Sequence, residues 1–247
     1  MDAASRSDSM RGGGRAAGGH EAVERVAERG VGRSGPRIDI SAVDESRYEK
    51  HGGFPKVSRV QVGANFGPFV EAMRTLQDLA VCVDAPDEVF GEALAQARQL
   101  VELLEPYRAP ELQGPAGRAV ELPGRGSLLL LPWQVVEAGP DGIVMTGEFR
   151  RYHLGGNGAA HGGVLPLLFD DLLGMIVHYA GRPISRTAYL HVNYRKITPL
   201  ETSLTVRGRV DRTEGRKTFI TAELADEQGN VLADCEGLMV QLLPWQP

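Results

Sequence analysis

The apolar positions change period along the chain, and each change marks an element. Between about residues 66 and 108 they recur at helical spacing. Phe69, Met73, Leu76 and Ala80 follow Gly67-Pro68, and then Val89, Phe90, Ala93, Leu94, Ala97, Leu100, Val101 and Leu104 trace an i, i+3, i+4, i+7 stripe. Pro86, Asp87 and Glu88 suit a first turn: a proline there forgoes no hydrogen bond, and the acids face the positive end of the helix dipole. Pro106 closes the stripe. The span 68–108 holds eight acids against three arginines, so the outer faces are acidic and the apolar faces need a surface to lie on. We read these two helices as an extension, residues 48–115, packed on the C-terminal half of the chain.

After the turn-rich "LQGPAGRAVELPGRG" (112–126) the period falls to two. The runs "LLLLPWQVVEA" and "GIVMTGEFRRYHL", joined by "GPDG", read as strands. A helix over Gly162–Ala180 comes next. Then come "RTAYLHVNYRKI", "SLTVRGRVDRT", "KTFITAELADE" and "VLADCEGLMVQLL", the last three joined by the tight-turn residues "EGR" and "QGN". There is no βαβ alternation, so residues 116–247 are expected to form an α+β domain, an antiparallel sheet wrapped around one long central helix. That helix is apolar nearly all round, from Val164 and Leu165 to Ile176 and Val177, which predicts that it is buried.

Composition narrows the class. Residues 1–47 contain no Phe, Trp or Tyr and balance eight Arg against eight Asp and Glu. Such a segment buries too little apolar surface to offset its ordering entropy, so it is expected to be a disordered arm. Hydrophobic residues at 42% and charged residues at 24% fit a globular protein. A net charge of −5 argues against nucleic-acid binding. No apolar run reaches the roughly 18 residues of a bilayer span, and no secretory core stands at the N-terminus. Cys82 and Cys235 match no zinc or redox spacing, and are expected to be reduced core thiols of a cytoplasmic protein.

The chemistry concentrates in "AAHGGVLPLLFDD" (159–171). His161-Gly162-Gly163, with Asp170 nine residues after the histidine, resembles the hotdog-fold acyl-CoA thioesterases of the phenylacetate-pathway type. "TAYLHVNYRKITPL" (187–200) and "EGRKTF" (214–219) are similar to thioesterase superfamily members four and five, the long-chain acyl-CoA branch. The resemblance covers roughly residues 127–243. It implies a hotdog fold over 116–247, a homodimer or tetramer, and hydrolysis of medium- to long-chain fatty acyl-CoA to free acid and coenzyme A. Coenzyme A would be part of the substrate, with no separate cofactor.

The residues explain how such a site works. A helix N-terminus carries unpartnered N–H groups at the positive end of its dipole, and glycines there admit a ligand close to the backbone. Gly162, and after it Gly163, would hold the developing oxyanion of a thioester. The alternative is a tight strand-to-helix turn that needs glycine and nothing more. By the family register Asp170 is the attacking carboxylate or the base that activates water, while Asp171, about 100° further round the helix, meets other surroundings. Thr187 matches the threonine that holds the attacking water in the closer branch. His161 either bonds the thioester region or fixes the turn; no second ligand stands at metal spacing, so no metal site is expected. Arg195, Lys196, Arg216 and Lys217 are candidates for the coenzyme A phosphates, or else solvated charges. Where many phenylacetate-type members carry Asn, six residues before the histidine, this chain has Gly155; Asn157 is the nearest substitute, or a turn residue.

Spacing adds one deduction. Eight residues separate Gly162 from Asp170, roughly 12 Å along one helix. A carboxylate that far away cannot reach a thioester held at its own helix's N-terminus, so the acid must come from a second copy across a two-fold axis. Two other readings compete. A hotdog hydratase needs a histidine–acid couple, and neither His178 nor His191 has an acidic partner in a matching motif. A non-catalytic acyl-CoA sensor has no need of Asp170.

Overall fold

The described residues, 59–110, 113–243 and 245 of a computed structural model, follow the expected order of elements. Helices α1 (Phe66–Ala80) and α2 (Asp87–Leu104) come first. Strands β1 (Gln134–Gly139) and β2 (Gly142–Gly147) lead into a short hairpin, β3 (Leu154–Gly156) and β4 (Ala159–Ala160). Helix α3 (Val164–Tyr179) precedes β5 (Ser185–Tyr194), β6 (Leu204–Glu214), β7 (Lys217–Ala225) and β8 (Val231–Gln241). Apart from the small hairpin, the strands form one six-stranded antiparallel sheet in the order β1-β2-β6-β7-β8-β5. The arm expected over residues 1–47 lies outside the described residues.

Alternation builds the sheet's inner face. In β7, Thr218, Ile220, Ala222 and Leu224 are buried while their neighbours are not. The same face of β6 and β8 supplies Val206, Ala233 and Cys235, and α3 meets it with Leu165, Leu168, Phe169, Leu172, Leu173 and Ile176. Two glycines set the distance of approach. A Cβ at Gly237 would run into the Leu173 side chain, and one at Gly208 would stand 2.6 Å from Ile176. The helix therefore lies directly on β6 and β8, and a side chain at either position would force Leu173 or Ile176 to move. Strand β1 starts later than its apolar run because Pro132 lacks the N–H a ladder needs.

The expectation that α3 is enclosed needs correcting. One chain covers one side of it. Gly163, Asp170 and Gly174 form an exposed strip on the other side. The strip lies beside β5, the edge strand, whose Arg186, Thr187, Ala188, Tyr189 and His191 are exposed as well.

The extension behaves as two different helices. Helix α1 packs: Val70 is buried, and the buried Arg74 donates to the carbonyls of Pro123 and Ser127 at 3.0 and 2.9 Å. Helix α2, expected to pack likewise, has no buried residue, and its Val89, Phe90, Leu94 and Val101 are exposed. Cys82 is also exposed rather than in the core, and Cys235 is buried, its thiol pushed up to about 12 by desolvation. Among the described residues, no helix is long and apolar enough to cross a membrane.

Candidate active site

The start of α3 is held by its own histidine. His161 N–H donates to the His153 carbonyl at 2.7 Å, and the His161 carbonyl accepts from Val164 N–H at 3.0 Å. His161 Nδ1 accepts from Gly163 N–H at 3.0 Å, so a neutral His161 carries its proton on Nε2. Gly163's donor is therefore occupied. Among the described residues nothing accepts from Gly162 N–H, which is exposed at the helix mouth, while the Gly162 carbonyl accepts from Tyr194 Oη–H at 2.8 Å. A Cβ at Gly162 would meet only the Tyr194 ring, at an ordinary 3.6–3.8 Å, and Gly162 is not among the residues with positive φ. The turn itself does not require glycine at 162. What glycine leaves there is open access to an unpartnered N–H.

Two turns along α3, Thr187 Oγ1 donates to Asp170 Oδ1 at 2.6 Å, and Met239 Sδ lies 3.3 Å from the same hydroxyl. A bulge in β5 between Thr187 and Tyr189 accompanies this placement. One carboxylate oxygen is thereby fixed. Asp171 faces elsewhere: Arg125 grips it with two bonds, of 2.6 and 3.2 Å, both side chains largely shielded. The adjacent acids thus have separate surroundings, one open and one ion-paired.

Known proteins resemble this chain in both sequence and fold. Residues 157–233, from the β3–β4 turn into β8, match the family model described as the thioesterase superfamily. The likeness in sequence to that family rests on this segment. Acyl-coenzyme A thioesterase THEM4 of Rattus norvegicus is 31% identical over 91 residues, 36% of this chain and 39% of that protein. The Bos taurus protein of the same name is 28% identical over 94 residues, 38% of each. The chain thus spans well under half the length of the curated relatives it matches. Among solved structures, a thioesterase superfamily protein aligns with a TM-score of 0.65 at 23% identity, covering 75% of this chain and 95% of that one. That likeness shows the hotdog fold. Its share of this chain exceeds what residues 116–247 supply alone, so the likeness reaches into the helical extension.

In the sheet-and-helix domain the basic candidates fall into two groups at opposite ends of β5. Arg195 and Lys196 come directly after the strand's last residue, Tyr194. Arg195 is ion-paired to Asp234, holding that carboxyl below its usual range, and Lys196 Nζ donates to Asn230 Oδ1 at 3.1 Å. Arg216, in the β6–β7 turn, donates to the Gln241 carbonyl at 2.9 Å, and Gln241 pairs with Ser185 at the strand's beginning; Lys217 is exposed beside it. One chain does not bring the two groups together. Asn157 sits at the tip of the β3–β4 hairpin with φ of 50°, a turn conformation asparagine tolerates. Gly155 has a steric reason: a Cβ there would lie 2.6 Å from the His161 Cα, so the asparagine of other members has no room. Tyr194 was not singled out from the sequence, because an exposed aromatic on a strand carries no periodic signal. His191 bonds Asn193 at 3.1 Å rather than an acid, and among the described residues no His, Cys, Asp and Glu group could hold a metal.

His153 connects this turn to the segment before it and gives it a pH dependence. Its Nδ1 accepts from Arg150 N–H at 2.9 Å, and burial pushes the imidazole down to about 4, with Asp78 opposing and Arg150 and Arg74 assisting. Between its ordinary 6.5 and about 4, the unfolded chain takes up a proton that the folded chain refuses, so stability falls as pH falls through that window. Glu148, pushed up by burial, acts in the opposite sense, so a variant must isolate the histidine. Melting temperature should drop between pH 7 and pH 5, and that of His153→Gln, which keeps an acceptor but cannot take the proton, should drop less. Equal drops in both proteins would contradict this assignment.

Proposed function

We propose that the chain hydrolyses fatty acyl-CoA to free acid and coenzyme A, at sites shared across a homodimer in the cytoplasm. The observation that carries this reading is the placement of two half-sites on one edge strand. Tyr194 ties the Gly162 donor to one end of β5, and Thr187 ties the Asp170 carboxylate to the other. Seven residues of extended chain put those ends about 20 Å apart. Antiparallel pairing of β5 with its own copy, about a two-fold axis between Leu190 and His191, sets each Thr187 beside the partner's Tyr194. The same operation brings the Arg216–Lys217 corner of one chain toward Lys196 of the other, gathering positive charge for the coenzyme A phosphates.

In that arrangement the thioester carbonyl points its oxygen at Gly162 N–H of one chain. Asp170 of the other takes a proton from a water held by Thr187, and the resulting hydroxide attacks the carbonyl carbon. The oxyanion is stabilised by the Gly162 donor and the positive end of α3. Collapse breaks the C–S bond, and the thiolate of coenzyme A takes the proton from Asp170. An acyl tail running along α3 meets a cavity of about 120 Å³ lined by Gly174, Val177, Ile184 and Met239 together with His178, Arg182 and Ser185. Its apolar bed suits a segment of an acyl tail. The name of the curated relatives, acyl-coenzyme A thioesterase, supports the substrate class.

A panel of acyl-CoA esters of increasing chain length, followed by thiol release, tests the reading. Turnover is expected to be highest with medium to long chains. Tight acyl-CoA binding with no thiol release anywhere in the panel would point to a sensor instead. Loss of conjugation from an enoyl-CoA, with no thiol release, would point to a hydratase.

A further inference from the structure

We propose that Asp78, on helix α1 of the extension, is a positioning residue for the oxyanion-binding turn. The proposal rests on the reading of Gly162 as oxyanion donor. Asp78 Oδ1 accepts from Tyr152 N–H at 3.0 Å, and Oδ2 accepts from Arg150 Nε at 2.7 Å and Nη2 at 2.6 Å. Glu71 Oε1 takes Arg150 Nη1 at 2.5 Å from two turns earlier on the same helix. These bonds grip both ends of the segment Arg150–Tyr152, which begins the short 3-10 turn Arg151–His153. From there the connection continues without a gap. Arg150 N–H holds His153 Nδ1, the His153 carbonyl holds His161 N–H, and His161 Nδ1 holds Gly163 N–H beside the free donor of Gly162.

The path is stiff at each step. The side chains of Asp78 and Arg150 are 21% and 15% exposed, so their ion pair is screened only weakly by water. The rings of Tyr152 and His153 lie 3.9 Å apart, and Phe149 meets His153 edge-on. Gly155 lies against the His161 backbone too closely for any side chain, so the hairpin packs directly on the turn. A carboxylate on the extension therefore sets the direction of the His153 carbonyl, and that carbonyl sets the height of the α3 entrance. Transition-state stabilisation by a fixed donor depends on placement to a fraction of an ångström, whereas substrate binding spreads over many contacts. Loss of Asp78 should accordingly reduce kcat and leave KM nearly alone.

The experiment combines kinetics with amide hydrogen exchange on the full chain. In Asp78→Ala, kcat with an acyl-CoA substrate is expected to fall about tenfold with KM within about twofold. Exchange at His161 and Gly163, the two bonded amides of the turn, should rise while the sheet amides of β6 and β7 stay protected. Asp78→Asn keeps an acceptor for Tyr152 N–H but turns an amide toward Arg150; it should fold and show a smaller change in the same direction. Glu105→Gln, in an exposed pair with Arg108 beyond α2, should change nothing. Two results would overturn the proposal: wild-type kcat and turn exchange in both Asp78 variants, or exchange raised equally in the turn and the sheet, which is the mark of general destabilisation. If the wild-type chain released no thiol from any acyl-CoA, the functional reading would fail, and exchange at the turn would still decide whether Asp78 positions it.

Discussion

Asp170→Asn should lower kcat at least about 100-fold, the loss expected when a general base is removed, and should leave the melting temperature close to wild type. Asparagine keeps an acceptor for the Thr187 hydroxyl, and Asp170 is exposed in the single chain, so no buried charge is stranded. Acyl-CoA binding should persist, because in the proposed mechanism the carboxylate acts on water rather than on the ligand. Asp171→Asn should behave in the opposite way. It leaves Arg125, largely shielded and also bonded to the Gly117 carbonyl, without its carboxylate, a loss of about 1–3 kcal/mol in stability. Its turnover per folded molecule should be near normal. Steady-state kinetics and thermal unfolding of the two variants side by side provide the check. If the 171 variant is inactive and the 170 variant active, the assignment of the base is reversed.

Much of the fold was legible because periodicity reports directly on which face an element buries. The helical stripe and the four alternating runs after Arg186 end within a few residues of α3 and β5–β8. Other features leave no such trace. The β3–β4 hairpin is made of "LGGNGAA", whose glycines carry no alternation to read. The position of β5 at the sheet edge, paired with β8 rather than with β6, is a matter of long-range register. Helix α2 shows how a stripe can mislead: the pattern says that a face is apolar, not that this chain covers it. The same holds for α3, whose all-round apolarity anticipated burial that one chain supplies on only one side.

The site divides along similar lines. His161, the two glycines, Asp170 and Thr187 were visible as a spaced motif. The bonds that place them were not, since Tyr194 reaches Gly162 across 32 residues and Arg150 reaches Asp78 across 72. Arg195 looked like a phosphate ligand on charge alone, and only the pairing of β5 with β8 brings Asp234 to it. Charge type is local information, whereas charge neutralisation depends on who stands opposite.

In the proposed dimer each site takes its oxyanion donor from one chain and its carboxylate from the other. The most direct test mixes two damaged chains. Gly162→Val places a branched side chain over the free N–H, against a Tyr194 ring at contact distance that can give way; Asp170→Asn removes the base. Each homodimer should be nearly inactive. The two are unfolded, mixed in equal amounts and refolded, and exchange is verified by native mass spectrometry. A mixed dimer then holds one doubly damaged site and one intact site, and random pairing makes half the dimers mixed, so about a quarter of wild-type activity should return. Were the glycine and the aspartate of a site to come from the same chain, every site would carry a lesion. A mixture with verified exchange that stays as inactive as its parents would contradict the shared site.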